Sequence, residues 1–490
     1  MYLPFVLTKR GQIEIKGENL LAESLNIIAT RRDATLYKYD DVYRMIEDSY
    51  LGGLNYYNGE YLDQHPKESE VAFKKRHLRS TYYNNIAPLV DMLTGFLYSN
   101  APTRAELPDT KFFDNASGGL SFSEIMKTIC KYSLLLPIGI LIDNVVFDAE
   151  EVQSKYDEEV KNINPFLVIY KPYQIRDFNY IDGVLQWVLL DNTYIDKDDY
   201  LQDAKEIIEY RLWTQDEFID YRIDAQEKVV SVVETDRQYH NLGIVPFRMC
   251  NWQDDNNDFV GESFFEDPCW IAKKIYNYMS YMDEMLASGT FKMLAYPSPD
   301  GAVPKLLQEG GIGPLSFVPF DSTSSHEPKF IGAELGDMAS FLSAITFAYE
   351  QLMSIFGLEV EENKNIAQSG TAKELNFEKL KSVLNNGAIS LEKTEKWIFE
   401  TVGLWRGESS DYDVTYKKDF LTKDVDEKIR RYMELKLLGP YNYFNKILDK
   451  LIVSTSLSGD IEPDEMENII NEIELSKIKK NELSKGDADG

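Results

Sequence analysis

The stretch FEDPCWIAKKIYNYMSYMDEMLASGTFKMLA, residues 265–295, decides the fold of this chain. Large apolar side chains recur in it every three or four positions, which places them on one stripe of an α-helix. The stripe is formed by Ile271, Ile275, Tyr278, Met282 and Met285, and the opposite face carries Lys273, Ser280 and Glu284. A helix over this stretch would be about 45 Å long. So narrow an apolar stripe on so long a helix predicts that other parts of the protein pack on either side of it. An ordinary core helix of a globular domain has the same pattern.

Residues 296–332 cannot continue that helix, because six prolines remove backbone donors and several glycines loosen the chain. The run Leu315–Phe320 is compatible with one short strand. Helical spacing resumes near Glu334 and fades at Gly357. Its apolar face comprises Leu335, Met338, Phe341 or Leu342, Ile345, Tyr349 and Leu352. The pattern therefore predicts a rod at 261–295, a tip at 296–332 and a returning rod at 333–357.

A polar loop, 358–370, and a third long helix follow the returning rod. The composition of the loop favours a solvated surface segment. The helix is predicted from Thr371 to about Val402, and Ser369 and Thr371 offer capping oxygens near its start. Its apolar stripe is Phe377, Leu380, Leu384, Leu391, Ile398 and Val402, while Glu378, Lys381, Glu392 and Lys396 are expected to face water.

The remaining sequence predicts an α+β protein with helices before and after a β-rich region. Residues 1–69 predict an arm with short helices, and Thr81–Tyr98 and Phe122–Leu136 predict helices. Short runs separated by turn residues predict an antiparallel meander. These runs are Gly139–Val146, Phe166–Tyr170, Leu185–Leu190, Ile207–Thr214, Phe218–Ile223 and Val229–Val233. Beyond Gly407, helical spacing returns in Asp424–Leu438, Tyr441–Ile452 and Pro463–Leu475.

Composition narrows the possible function classes. The 490 residues include 82 acidic and 52 basic side chains, a formal net charge of −30, so sequence-specific DNA binding is disfavoured. The same acidity suits a conduit, because a basic wall would bind duplex DNA and hold it. The alternative is that the acidic residues serve only to keep the protein soluble. Cys130, Cys250 and Cys269 lack metal-ligand spacing and predict no disulfide framework. No apolar run is long enough to predict a membrane span.

Signals for catalysis are weak. The acidic cluster Asp254, Asp255, Asp258 and Glu262 is the best candidate metal site, but it lacks the full EF-hand pattern, so a solvated loop is favoured. No phosphate-binding Gly-x-x-x-x-Gly-Lys and no Gly-x-Ser-x-Gly motif occurs. We therefore expect a protein that is not an enzyme and needs no cofactor. A metal-dependent nuclease or hydrolase that uses the cluster, and a monomeric interaction scaffold, are the alternatives.

The order of rod, tip, returning rod and polar loop, followed by QSGTAKEL (368–375) opening a long helix, resembles portal proteins of tailed bacteriophages, most closely the DUF4055 portal-like group. RHLRSTYYNN (76–85) and VDMLTGFLYSNAP (90–102) resemble that group's tyrosine-asparagine stretch and the hydrophobic helix after it. FLVIYKP (166–172), GVLQWVLL (183–190) and GIVPF (243–247) resemble its short strands in the same order. The similarity covers about Val71 to Gly407, and it depends on the order of short motifs.

The resemblance implies a dodecameric ring at one capsid vertex of the virion, assembled in the host cytoplasm. Double-stranded DNA would pass through it without sequence specificity during packaging and ejection. The implied regions are an N-terminal arm and wing (1–260), stem helices (261–295 and 333–357), a clip (296–332), a tunnel loop (358–370), a long wing helix (371–407) and a helical crown and tail (408–490). The implied partners are copies of itself, the terminase large subunit, head-completion or adaptor and tail proteins, and the major capsid and scaffolding proteins, with no membrane.

The same resemblance suggests which residues face the DNA. Lys364 is the basic residue of the tunnel loop and is expected to point at the DNA backbone, although pairing with Glu361 or Glu362 is the alternative. The other expected polar contacts of that loop are Asn363, Asn365 and Gln368. Lys273, Lys274 and Lys292 are candidates for basic rings in the stem. The apolar stripe of the first stem helix is expected to pack against the neighbouring subunit.

Overall fold

The computed structural model describes residues 5–7, 13–15, 23–104, 110–144, 163–197, 203–226, 229–253, 259–261, 263–290, 292–298, 317–321, 329–331, 338–356, 358, 370–418, 449–450 and 469. The chain divides into two compact units, Met1–Lys418 and Asp419–Gly490. The helices and strands named below belong to the first unit. They combine α-helices with largely antiparallel sheets, in agreement with the α+β class expected from the sequence.

Local sequence signals fix the starts of several helices. Ahead of Ala34, the Asp33 carboxylate accepts hydrogen bonds from the backbone N–H groups of Thr35 and Leu36, as an N-cap does. Ahead of Phe122, Ser121 and Glu124 form a capping box. The helices are α1 Glu23–Thr30, α2 Ala34–Leu51, α3 Gly53–Asn58, α4 Glu70–Arg79, α5 Ile86–Leu97, α6 Thr110–Asp114, α7 Phe122–Leu135, α8 Glu266–Thr290, α9 Met338–Ile355 and α10 Gly370–Arg406.

The strands are β1 Phe5–Leu7, β2 Ile13–Ile15, β3 Thr103–Arg104, β4 Ile138–Asn144, β5 Pro165–Tyr170, β6 Ile175–Ile181, β7 Val184–Asp191, β8 Tyr194–Asp196, β9 Lys205–Thr214, β10 Glu217–Gln226, β11 Val229–Tyr239, β12 Phe247–Cys250, β13 Met293–Ser298, β14 Phe317–Asp321, β15 Lys329–Ile331 and β16 Val414–Thr415. The largest sheet is an antiparallel meander in the order β11-β10-β9-β7-β6, with β8 attached to β9. A second sheet has the order β12-β4-β5, and a third the order β14-β13-β15. The pairs β1-β2 and β16-β3 are separate.

The predicted strands are present, with bounds that differ by at most six residues, but the prediction of a single meander is wrong. β4 pairs with β5 on one side and with β12 on the other, outside the meander. The strands β6 and β8 were not predicted. Alternation of apolar and polar residues identifies a strand, but it does not identify a partner that lies a hundred residues away along the chain.

Two contacts attach the long helix α10 and the two larger sheets to one another. Trp405 of α10 donates a hydrogen bond to the carbonyl of Ile142 in β4 at 3.0 Å, and its ring packs against the core cluster around Trp213. Arg211 on β9 joins the sheets, because it lies 3.1 Å from Asp143 on β4 and 2.7 Å from Asp220 on β10. Helix α10 and the two larger sheets therefore pack as one body.

Candidate functional site

Helices α8 and α9 form a hairpin whose tip is the sheet β14-β13-β15. At the base, the rings of Phe264 and Phe265 lie 5.5 and 5.2 Å from the ring of Phe356, which directly follows α9. At the other end, β13 follows α8 and pairs with β15, which precedes α9 in the chain. The start of α8 therefore lies beside the end of α9, and the two packed helices run antiparallel.

The tip differs from the sequence expectation. The first helix was predicted to reach Ala295 but ends at Thr290, and Met293–Ser298 forms the central strand β13. β13 pairs in parallel with β14 and antiparallel with β15, so its backbone groups find partners on both sides. This pairing favours strand over continued helix. The predicted strand Leu315–Phe320 corresponds to β14, Phe317–Asp321.

The polar face of α8 docks on α4 and residues 56–82 of its own subunit. Ser280, which the sequence places opposite the apolar stripe, is only 2% exposed. Its Oγ accepts a hydrogen bond from the guanidinium of Arg76 in α4 at 3.1 Å. One turn further along α8, Glu284 forms an ion pair with Arg79 of α4. The contact between α4 and α8 is therefore made by hydrogen bonds and ion pairs.

Arg76 organises this contact. Its side chain is buried, and its guanidinium donates to both carboxylate oxygens of Glu68 at 2.8 Å and to the carbonyl of Asp63 at 2.6 Å. The charge also lies over the rings of Phe73 and Tyr281, at 5.3 and 5.1 Å from their centroids. The hydrogen bonds from Arg76 lower the pKa of Glu68 below its usual range. Both charges are thereby compensated, as burial requires.

Asn277 and Tyr276 extend the same contact towards the start of α8. The side-chain oxygen of Asn277 accepts from the backbone N–H of Asp63 at 2.7 Å, and its amide donates to the carbonyl of Tyr61 at 3.1 Å. The Tyr276 hydroxyl lies 2.7 Å from the Ser80 hydroxyl. The aromatic cluster around Tyr276 consists of Tyr56, Tyr61 and Tyr82. The contacts with residues 56–82 thus fix the position of α8 along its own axis.

The predicted apolar stripe lies on the other side of α8, as its spacing requires. Ile275 is buried, whereas the other four members are half-buried within the subunit. Those four are Ile271, Tyr278, Met282 and Met285. The stripe is therefore covered only in part by the described residues of the chain itself.

The three stem lysines are not brought together. The ammonium of Lys273 lies 3.3 Å from the carboxylate of Asp63, so its charge is already paired. Lys274 is exposed and lies over the ring of Tyr278, 5.6 Å from its centroid. Lys292 is exposed and follows the end of α8, roughly 25 Å further along the helix axis. Among the described residues, neither Lys274 nor Lys292 has an ion-pair partner.

Helix α9 and the tip leave large apolar side chains uncovered. Of the predicted face of α9, Leu352 is buried, but Leu342 is 50% exposed and Phe347, on the same helix, is 58% exposed. Phe330 in β15 is 71% exposed. The predicted start of α9 near Glu334 lies outside the described residues. Such side chains on one hairpin are typical of a surface that another protein covers.

Helix α10 agrees with the prediction in extent and in its buried face. It spans Gly370–Arg406 where Thr371 to about Val402 was predicted, and the side chain of Phe377 lies outside the described set. The expectation that Glu392 faces water is wrong, because it accepts from the backbone N–H of Tyr416 at 2.9 Å and from Lys418 at 2.8 Å. The buried stripe members are Leu380, Leu384, Leu391, Ile398 and Val402.

Glu395 on α10 is a fully buried carboxylate with several donors. Arg104 donates to it at 2.6 Å, and the hydroxyls of Tyr412 and Tyr416 donate to its two oxygens. Burial raises the pKa of both tyrosines, so they stay protonated as donors. Since β16 pairs with β3, this cluster ties the N-terminal region, α10 and the segment up to Lys418 together.

Several predicted site residues lie outside the described residues. They are Asn363, Lys364, Asn365 and Gln368 of the polar loop and Asp254, Asp255, Asp258 and Glu262 of the acidic cluster; most of the predicted crown, 408–490, is outside too. Within the described part, no group of three or more His, Cys, Asp or Glu side chains is placed to hold a metal ion. None of the described helices is long and apolar enough to cross a bilayer. The three cysteines are buried, and none of them forms a disulfide.

Sequence reasoning missed the residues that position the hairpin. Arg76 lies in the motif RHLRSTYYNN. That motif supported the family resemblance through its place in the order of motifs, and Arg76 itself was given no role. Asn277 and Ser280 gave the clearest available signal, because two small polar residues one turn apart on a long helix can mark a hydrogen-bonded contact. Glu395 gave no signal, since Arg104 lies 291 residues earlier in the chain and the two tyrosine donors lie beyond the end of α10.

Comparison with known proteins gives no assignment. No family model matches the chain, and no curated protein matches it at a significant level. Function must therefore be argued from the hairpin, its anchors and the order of the sequence motifs.

Proposed function

We propose that this chain is the subunit of a bacteriophage portal, a ring at one capsid vertex that conducts double-stranded DNA during packaging and ejection and connects head to tail. The observation that carries the proposal is the hairpin of α8 and α9 with a small sheet at its tip, followed in the chain by the 37-residue helix α10. A stem, a clip and a long wing helix in this order are what the resemblance to portal proteins implies.

The surface of the hairpin supports assembly into a ring. One face of α8 is fixed by residues 56–82 of the same subunit, whereas the apolar stripe of α8 and the side chains Leu342 and Phe347 of α9 are left partly or largely uncovered. Burial of such side chains at about 25 cal/mol per Å² is the driving force that a subunit interface needs. In a cyclic ring each subunit would use two different surfaces, one for each neighbour.

The charge of the chain supports a passive role towards DNA. A net charge of −30 disfavours tight binding of duplex DNA, because few phosphates would be neutralised and few counterions released. Since the sequence holds no phosphate-binding motif, the energy for translocation would come from a docked terminase motor. On this proposal Lys364 of the polar loop, and Lys274 and Lys292 near α8, are the candidate contacts to the DNA backbone.

The test is the mass of the purified chain in solution, followed by electron microscopy. We expect closed rings of about twelve subunits with a central hole wide enough for duplex DNA. A protein that remains monomeric at all concentrations, or that assembles without a central hole, would contradict the proposal. Nuclease assays with Mg²⁺ on the same sample test the alternative enzyme, for which activity without ring formation is the expected result.

A further inference from the structure

Helix α4 has two faces of different character. The inner face, with Phe73, Arg76 and His77, packs against α8 and residues 56–82; the ring of His77 stacks on that of Tyr57 with centroids 4.1 Å apart. The outer face presents side chains at the spacing i, i+3, i+4 and i+7, which is one stripe of a helix. Its members are Val71, Lys74, Lys75 and Leu78, and all four are exposed.

The outer face combines apolar surface with unpaired positive charge. Val71 is 63% exposed and Leu78 is 76% exposed, values that a side chain serving its own subunit's core does not have. Lys74 and Lys75 lie between them, and neither makes an ion pair or hydrogen bond within the described part of the chain. Four of the ten residues of α4 are Lys or Arg and only Glu70 is acidic, in a chain with a large excess of acid.

Within the described part of the chain, no hydrogen bond or ion pair from the side chains of this face holds α4 in place. The position of the helix is set by its N-cap Ser69 and by the inner-face contacts of Arg76 and Arg79. Exposed aliphatic carbon next to unpaired cations on one helix face is best explained by contact with another molecule.

We propose that the outer face of α4 binds the acidic surface of a second copy of this chain and is one half of the contact between neighbouring subunits. The inference rests on the ring proposed above and names a surface within it. Two chains of net charge −30 repel each other, so association needs a place where the sign is locally reversed. α4 provides such a place, and its two aliphatic side chains add desolvated area around the lysines.

The test compares self-association of the full-length chain with that of the double variant Lys74→Glu, Lys75→Glu. We expect the variant to associate at least about tenfold more weakly, because two attractive pairs become repulsive. The matched control is the double variant Lys38→Glu, Lys205→Glu, which changes net charge equally at two exposed lysines of α2 and β9 and should associate like the unchanged protein. A third variant, Leu78→Ser, tests the apolar part and should also weaken association. Unchanged thermal unfolding of all variants excludes misfolding.

The outcomes separate this inference from the ring proposal. If the unchanged chain forms rings and the Lys74, Lys75 variant forms them equally well, the assignment of α4 is wrong while the ring stands. If the unchanged chain is monomeric at low and high salt, both are wrong. If the variant keeps self-association but loses retardation by a duplex DNA fragment, α4 contacts nucleic acid and the second-copy assignment is overturned. If added salt weakens self-association more for the unchanged protein than for the Lys74, Lys75 variant, the second-copy assignment is supported.

Discussion

The two helices of the hairpin are held in different ways. α8 is attached to its own subunit through a polar face, where Arg76, Ser280 and Asn277 exchange hydrogen bonds within a buried contact. α9 is an 18-residue helix in which only Ala348 and Leu352 are fully buried. Hydrogen bonds fix direction and register, whereas apolar contact is not directional. The position of α8 is therefore set by contacts within its own subunit, whereas few side chains of α9 are buried by that subunit.

The largest effect should come from removing the anchor of α8. In Arg76→Met, Glu68 loses its buried partner and Ser280 and the Asp63 carbonyl lose their donor. Breaking a buried, hydrogen-bonded ion pair typically costs about 3–5 kcal/mol. We expect the free energy of unfolding to fall by this amount in urea titrations. Lys74→Met, on the outer face of the same helix, is the control and should change it by less than about 0.5 kcal/mol.

Within α9 the largest loss should follow truncation of its buried leucine. Leu352→Ala removes a side chain with no exposed surface and should destabilise the first unit by about 2–5 kcal/mol, depending on how far the cavity collapses. Leu342→Ala, half exposed on the same helix, should cost less than about 1 kcal/mol. Equal effects of the two variants on thermal unfolding would show that α9 is packed evenly by its own subunit and would contradict the contrast with α8.

The anchor of α8 should also depend on pH. The pKa of Glu68 is lowered in the folded protein by the hydrogen bonds from Arg76, so the stabilisation is fully present above the ordinary value of 4.5 and is lost as the pH falls through the lowered value. We expect Glu68→Gln to be less stable than the unchanged protein at neutral pH, with a difference that shrinks as the solution is made acidic. A difference that stays constant over this range would exclude titration of Glu68 as the cause.

The smallest effect on the isolated subunit should come from the surface of α9. Phe347→Ser changes a side chain that is 58% exposed and should alter the free energy of unfolding of the monomer by less than about 0.5 kcal/mol. In the ring proposed above, the same change should weaken association measurably by mass photometry, because an apolar contact is lost. Unaltered assembly would mean that Phe347 faces solvent in the ring as well.

The helices of this fold could be predicted from sequence because their signal is local. The periods of residues 265–290, 338–355 and 370–406 match helices in the structure, and the stripe of α10 is buried as expected. The sequence pattern did not show which face of α8 meets its own subunit. Amphipathic pattern alone assumes that apolar faces pack inside, but here the apolar stripe is half open and Ser280 is buried, since Arg76, 204 residues away in the sequence, supplies the partner.

The sheet at the tip and the cluster around Glu395 could not be predicted for a related reason. The first half of β13, Met293–Ala295, has a composition compatible with helix and becomes a strand only through β14 and β15, which lie within the proline-rich segment 296–332. Glu395 looks like one more polar residue of α10 until Arg104 and Tyr416 are brought to it. The assignment of Lys364 to the DNA channel stays a prediction, since the loop that carries it lies outside the described residues.

The cluster around Glu395 also sets an order of events during protein synthesis. Arg104 is made early, and its carboxylate partner lies 291 residues later in the chain, with Tyr412 and Tyr416 later still. At about 5–20 residues per second, the ribosome needs roughly 15–60 s to bridge that interval. Throughout this time the guanidinium of Arg104 has no Glu395 carboxylate to pair with. A nascent chain released before Tyr416 is therefore expected to be a substrate for chaperones, whatever the stability of the finished subunit.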